Sequence, residues 1–315
     1  MSLIPSSQKI GHTEITPWKD GRQGAFCLMF DDSVPSHVTN VVPEFKKRDL
    51  VGTFYVNPGM PAWKRQARAW ERELPGLPCV VYGNHTQTHK GARSPEQLRD
   101  ELAQCNEVIY RVDPGPKPRL ISFGRPGVKP EDWTVTDPQV AAALKPLHLI
   151  ERPPFGRNGA MIGPKTPEQM VALADAAITK KDLGYLIFHG VGGDWIVTPM
   201  DIFVKFLDLL EARRDRLWIT DHISVHVYTT LREGTRVQAG AAESGGRQLR
   251  IGVTTQADGT LYDLPLTFVT HVPADWKACE VRQKGARSTR ADVKSGVVQY
   301  AARPHLGDIT LLRAG

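Results

Sequence analysis

The sequence predicts an α/β chain: a distorted parallel (β/α) barrel of about seven strands, followed by a small C-terminal antiparallel β domain. Three observations predict it. Short, continuous apolar runs alternate with amphipathic helical stretches as far as about residue 233. Continuous hydrophobicity marks strands buried on both faces, as in parallel sheets. Beyond about residue 235 the helical period stops, and strand-like runs broken by turn residues take over. A chain of 315 residues has room for one barrel-sized domain and a smaller one.

The seven strands are expected at 25–30, 51–56, 79–83, 119–123, 147–150, 185–189 and 216–220. Helices follow most of them. Ser94-Pro95-Glu96-Gln97 and Thr166-Pro167-Glu168-Gln169 are capping boxes with proline at the first helical position, and Thr198-Pro199-Met200-Asp201 is a near match. Leu98, Leu102 and Ile109, then Met170, Leu173 and Ala177, then Ile202, Phe206 and Leu209, supply inward faces at helical spacing. Repeated strand–helix alternation argues for a barrel, closed or nearly so, with a doubly wound open sheet as the alternative. No G-x-G-x-x-G follows the first strand, which counts against a dinucleotide fold. The small, Gly-rich stretch Ala239–Gly246 reads as a linker or hairpin, and strands are expected at 248–254, 264–271, 277–282 and 296–301. The expected division is 1–235 for the barrel and 236–315 for a sandwich-like β domain. That domain either braces the barrel or binds carbohydrate through Tyr262, Trp276 and Tyr300.

Composition narrows the function. The 41% apolar and 23% charged content allows a sizeable core. The net charge is +6, yet its densest groups, Lys46-Lys47-Arg48 and Arg213-Arg214, fall at expected helix ends, where cations are favoured. No basic stripe interleaved with aromatics is present, so no nucleic-acid partner is expected. No apolar run reaches about 18 residues, so no membrane span is expected. The four cysteines, Cys27, Cys79, Cys105 and Cys279, form no C-x-x-C pair, which disfavours a cysteine zinc site. Buried thiols are expected, with one disulfide left open. Met1-Ser2-Leu3-Ile4-Pro5 is not a signal peptide. The compartment stays open: secreted or periplasmic if a leader has been removed, cytoplasmic otherwise. Oligomeric state is not written in the sequence.

The chemistry gathers at strand ends. Strand one runs into Asp31-Asp32, strand three into Asn84-His85-Thr86-Gln87-Thr88-His89, strand four into Gly124-Arg125-Pro126-Gly127, and strand six ends at His189 before Gly190–Trp195. Barrels place their sites on this C-terminal face. His85 and His89 are four apart, which on a helical turn puts both imidazoles on one face. Asp32 would complete a set of two histidines and a carboxylate, leaving a coordination position open as catalytic zinc sites do. Adjacent aspartate side chains diverge, so one aspartate anchors the ion and the other stays free as a base for water. Trp195 offers a flat face for a sugar ring or simply packs its loop. Trp63 and Trp70 read as a packing face.

Together these residues resemble the polysaccharide deacetylase (NodB-like, carbohydrate esterase) family. Met29-Phe30-Asp31-Asp32-Ser33 is similar to the T-F-D-D-G motif, His85-Thr86-Gln87-Thr88-His89 to H-[ST]-x-x-H, and Ile187-Phe188-His189 to L-x-H. Val51–Val56 resembles the family's second strand, and the resemblance covers roughly 22–233. It implies Asp31 as general base, Asp32, His85 and His89 as ligands of a divalent metal, and His189 as the acid that protonates the leaving group. Zinc is the first expectation, with cobalt, manganese, nickel and iron(II) suited to the same donors.

The chain departs from the family in three places. Ser33 stands for the motif's glycine. The R-P-P-[YF]-G motif has two candidates, Arg125-Pro126-Gly127 in the expected order and Arg152-Pro153-Pro154-Phe155-Gly156 by literal match. Position favours Arg125 as the cation orienting Asp31 and leaves Arg152 on the substrate side. No D-x-x-D-W motif lies between strands five and six, so Asp194 or Glu151 is expected to orient His189. The implied activity is removal of acetyl groups from an acetylated carbohydrate. N-acetyl sugar, O-acetyl ester as on acetylated xylan, and a catalytically inactive carbohydrate-binding protein remain as readings. Retention of Asp31 and His189 argues against the last.

Overall fold

The architecture follows from which apolar runs pair. A computed structural model of the chain describes residues 9–154, 158–161, 163–243 and 246–314. Met1–Pro5 and the Phe155-Gly156 end of the literal arginine motif lie outside the described residues. Contacts divide the chain into two units, one of Gln23–Val225 and one of Met1–Arg22 with His226–Gly315.

In chain order the strands begin with β1 (Thr13–Ile15), which belongs to the second unit. The first unit carries β2 (Gly24–Asp31), β3 (Gly52–Val56), β4 (Val80–Asn84), β5 (Ile121–Phe123), β6 (Leu149–Glu151), β7 (Gly159–Ala160), β8 (Leu183–Phe188) and β9 (Leu217–Thr220). Between them run α1 (Val42–Arg48), α2 (Pro61–Arg65), α3 (Pro95–Val112), α4 (Asp137–Leu144), α5 (Pro167–Lys180) and α6 (Met200–Glu211), and α7 (His222–Gly234) follows β9. All seven expected strands form. The two-residue β7 is an eighth, too short to leave a hydrophobic signature.

All strand pairs in this unit are parallel, in the order β6-β5-β4-β3-β2-β8-β7, with β9 beside Gly24–Cys27 of β2. Among the described residues no ladder joins β6 to β7, so the hydrogen-bonded path is open there. Central β2 is buried along its whole length, because it has neighbours on both edges and helices against its faces. Phe30 stacks on Phe54 (centroids 4.8 Å apart) and on Phe188 (5.4 Å), tying β2, β3 and β8 together. Trp63 and Trp70 are buried and stacked at 5.5 Å, plain packing as expected.

The helix starts are those the caps foretell. Ser94 Oγ accepts from Gln97 N–H, and Thr166 Oγ1 from Gln169 N–H, both at 3.2 Å. The near match at Thr198 does not cap; Pro199 takes the boundary position of α6. No helix of the described residues is long and apolar enough to cross a membrane. All four cysteines are free and buried.

The second unit is an antiparallel sheet of β1, β10 (Thr235–Glu243), β11 (Gln248–Thr255), β12 (Leu266–His271), β13 (Ala278–Arg282), β14 (Thr289–Lys294), β15 (Val297–Ala302) and β16 (Ile309–Ala314). Its order, β1-β12-β15-β14-β13-β16-β11-β10, is one continuous path. The Gly-rich stretch resolves as the β10–β11 hairpin, with Ser244 and Gly245 outside the described residues. Leu249, Ile251 and Val253 alternate inward, as do Val298 and Tyr300. The first strand, grouped by sequence with 1–235, pairs instead with Phe268–Thr270 of β12. Gly11 enables that entry: it has φ +87°, and a Cβ there would stand 2.3 Å from the Gly240 carbonyl oxygen.

Candidate metal centre and active site

The strand register brings the functional side chains together. Asp31 is level with Tyr55, Tyr55 with Gly83, Asn84 with Phe123, and Phe123 with Glu151. One residue further along, at the C-terminal ends of β4, β5 and β6, come His85, Gly124 and Arg152. Their backbones are stitched in line, with Gly124 N–H donating to Asn84 O (2.9 Å) and Arg152 N–H to Phe123 O (2.8 Å).

Asp32, His85 and His89 offer three ligand atoms that all lie within 4.8 Å of one another. Asp32 Oδ1 is 3.5 Å from His85 Nε2 and 3.3 Å from His89 Nε2. His85 Nδ1 lies 2.8 Å from the Gly124 carbonyl, which accepts only if that nitrogen carries the proton. The lone pair of Nε2 is thereby turned toward Asp32, the outer-shell arrangement that orients histidine ligands. Asp32 Oδ2 is buried without a hydrogen-bond partner among the described residues. A buried carboxylate oxygen left so is costly, and a cation would relieve it. The donor set therefore fits a divalent metal of the zinc type.

The histidine pair does not sit on a helical turn, as its spacing suggested. Thr86 (φ +66°) and His89 (φ +56°) are left-handed, and no helix forms until α3. The loop is pinned instead by Glu101 of α3, whose carboxylate accepts from Thr88 N–H and Thr88 Oγ1, both at 2.7 Å. Asn84 Oδ1 accepts from Thr86 N–H at 2.9 Å. The aspartate turn is left-handed too, at Asp32 (φ +75°) and Ser33 (φ +52°). Such backbone costs of order 1 kcal/mol or more per non-glycine residue and persists only where other contacts fix it. Ser33 Oγ supplies these, donating to Asn57 Oδ1 (3.1 Å) and accepting from Asn57 N–H (3.2 Å). Serine thus takes the glycine position by bonding the next strand end. Asn57 Nδ2 also donates to Asp32 Oδ1 at 3.2 Å. Asn57 escaped sequence reasoning; its signal was a polar residue directly after strand two.

Asp31 is not orientated by Arg125. Arg152 Nη1 and Nη2 donate to Asp31 Oδ1 and Oδ2 at 2.6 and 2.9 Å, a buried bidentate pair. Arg125 turns away, to Glu151 and to Asp137 (2.7 Å). The reason is steric. Gly124 has no side chain, and a Cβ there would stand 2.9 Å from Arg152 Cζ. The guanidinium crosses over that bare backbone, lying on the Tyr55 ring at 4.6 Å, to reach Asp31. Arg125, one residue beyond the aligned strand ends, has no such passage. Literal motif match, not chain order, was the better guide. Burial alone would raise the Asp31 carboxyl, but the Arg152 guanidinium holds it well below the usual carboxylate range. Asp31 is therefore an anion at neutral pH, with Oδ2 lying 3.8 Å from His85 Nε2.

This placement makes a sharp stability contrast. Arg152→Gln strands a buried carboxylate and is expected to cost about 3–5 kcal/mol. Arg125→Gln breaks a partly exposed pair and is expected to cost about 0–1 kcal/mol. Denaturant unfolding of both variants checks it, and equal losses would contradict the assignment.

His189 is buried at the end of β8, with Nε2 3.7 Å from Asp32 Oδ2. Neither expected partner orients it. Asp194 accepts from Ser36 N–H (2.7 Å), and Glu151 pairs with Arg125. Its backbone carbonyl is instead held by buried His37, whose Nε2 lies 2.7 Å away. Burial lowers the His37 pKa to about 4, so that imidazole is neutral and donates from Nε2. His37 was not singled out from the sequence, because a lone histidine in a helix start carries no pattern. Trp195 is half exposed, its ring 4.8 Å from that of His189. Asp31, His85, Arg152, His189, Met161 and Trp195 border a cavity of about 210 Å³.

Residues 19–134 match a family model described as polysaccharide deacetylase. That segment includes Asp31, Asp32, His85, His89 and Arg125, and ends before Arg152 and His189. A gellan lyase from a Bacillus species is 22% identical over 308 residues, which is 88% of this chain but 12% of that protein's length. The chain thus spans about an eighth of that relative. Solved structures of similar fold include the catalytic domain of a peptidoglycan N-acetylglucosamine deacetylase from Eubacterium rectale. It has 16% identity and TM-score 0.47, covering 66% of this chain and 91% of that one. Another is a family 4 acetyl xylan esterase from Clostridium thermocellum in complex with a cobalt ion. It has 19% identity and TM-score 0.44, covering 64% of this chain and 89% of that one.

Proposed function

We propose that this chain is a metal-dependent hydrolase that removes acetyl groups from an acetylated carbohydrate. The carrying observation is a buried anionic Asp31, held by Arg152 beside the Asp32–His85–His89 cluster, with His189 facing the same cluster. A divalent cation bound by Asp32, His85 and His89, zinc first among those the donors suit, would polarise an acetyl carbonyl and make nearby water acidic. Asp31 Oδ2 accepts the proton of the attacking water. Arg152 keeps the carboxylate ionised and fixes its plane. His189 Nε2 donates a proton to the departing amine or alkoxide. Trp195 offers its exposed face to a sugar ring. All these residues lie in Gln23–Val225, so the chemistry is assigned to that unit.

The same groups serve amide and ester, so both stay within the proposal. A binding-only role has no use for Asp31 and His189. The test is acetate release by the metal-loaded chain from N-acetylchitooligosaccharides, acetylated xylan and acetylated polygalacturonate. Release from any of them supports the reading, and none from all three overturns it. His189→Ala is expected to slow turnover by about 10²–10⁴-fold on an acetamide and far less on an aryl acetate, whose phenolate leaves unaided. Equal losses on both, with metal still bound, would remove His189 from the acid role.

A further inference from the structure

Two further cavities adjoin the catalytic one. One, of about 680 Å³, is lined by His89, Lys90, Arg93, Gln97, Lys129 and Asp132 among others. It shares His89 and Gly127 with the 210 Å³ cavity around Asp31 and His189. The other, of about 610 Å³, contains Arg65, and shares His89, Gly127 and Trp195 with the catalytic cavity. A glycan laid over the metal-ligand cluster has the larger of these arms to extend into.

The charge in the larger arm is one-sided. Three cations there face a single carboxylate, Asp132, which is committed to Arg93 at 2.6 Å. Neither Lys90 nor Lys129 forms an ion pair among the described residues. The cavity that contains Arg65 is not one-sided, because Asp32 and Asp194 line it too. The larger arm thus presents two cations without internal counter-charges. Walls of one sign concentrate ligands of the opposite sign. A neutral glycan would gain nothing from them.

We propose that the substrate is an acidic polysaccharide, whose carboxylate or sulfate groups on sugars flanking the acetylated one are held by Lys90 and Lys129. The proposal relies on the deacetylase reading for the acetyl group, but anion binding is testable without it.

The probes are unacetylated polygalacturonate, its carboxyl-reduced neutral counterpart and dextran sulfate, titrated against the full chain at low and moderate salt. The expected result is binding of at least one anionic polymer about tenfold or more tighter than the neutral one. That preference should weaken as salt rises. The double variant Lys90→Gln/Lys129→Gln should lose most of it; both lysines are exposed, so the fold is not at stake. Preference for polygalacturonate names carboxylate as the anion, and preference for dextran sulfate names sulfate. Equal affinity for charged and neutral polymers, or a double variant that binds as the parent does, overturns the proposal. So does equally tight binding of a homopolymeric RNA that the same variant loses. Acetylated polygalacturonate and its acetylated, carboxyl-reduced form then separate the two readings. Acetate released equally from both removes the acidic substrate and leaves the deacetylase. Anion binding without acetate release from any polymer does the reverse.

Discussion

Stripping divalent metal from the protein is expected to abolish acetate release, and adding back zinc or cobalt to restore it. The expectation rests on the proposed role of Asp32, His85 and His89. A Lewis acid contributes several kcal/mol at the transition state. At about 1.4 kcal/mol per tenfold in rate, the loss is on the order of 10³-fold or more. One equivalent of metal per chain should suffice, because among the described residues only this group of three donors converges. Binding should also raise the unfolding midpoint, by about 2.7 kcal/mol of stability at a hundredfold excess over Kd. His85→Ala should remove that shift. Full turnover in a preparation shown to be metal-free would end the proposed chemistry.

Asp31→Asn is expected to cost about 10²–10⁴-fold in turnover, the usual contribution of a positioned base. Asparagine keeps the shape but cannot take a proton, and it leaves Arg152 facing a neutral amide. Metal affinity should be largely retained, because Asp31 is held by Arg152 and is not one of the three donors that converge. Metal titration alongside kinetics separates the outcomes. Loss of metal in Asp31→Asn would mean that the two aspartates have exchanged roles.

Much of the parallel-sheet unit could be read before any coordinates. Buried parallel strands must be apolar throughout, so β2, β3, β4 and β8 announce themselves as runs. Asp31 and His189 stood out because one directly follows such a run and the other ends one, Asp32 by adjacency to Asp31, and His85 and His89 by their spacing in the segment after β4. What stayed hidden depends on facts that no local pattern carries. Choosing between Arg125 and Arg152 needed the register of β5 and β6, and the space that Gly124 leaves. The left-handed path through Thr86 and His89 depends on Glu101 from another helix. The partner of β1 lies about 250 residues along the chain, and only the assembled sheet reveals it. The mainly polar run of β14 gave no strand signal at all.

The bare backbone at Gly124 ties together two positions far apart in sequence. Arg152 crosses that gap on its way to Asp31, so a side chain at 124 would press on the guanidinium and on the Tyr55 ring beneath it. A substitution at 124 would therefore be felt at Asp31, the residue whose charge Arg152 balances, without touching it directly.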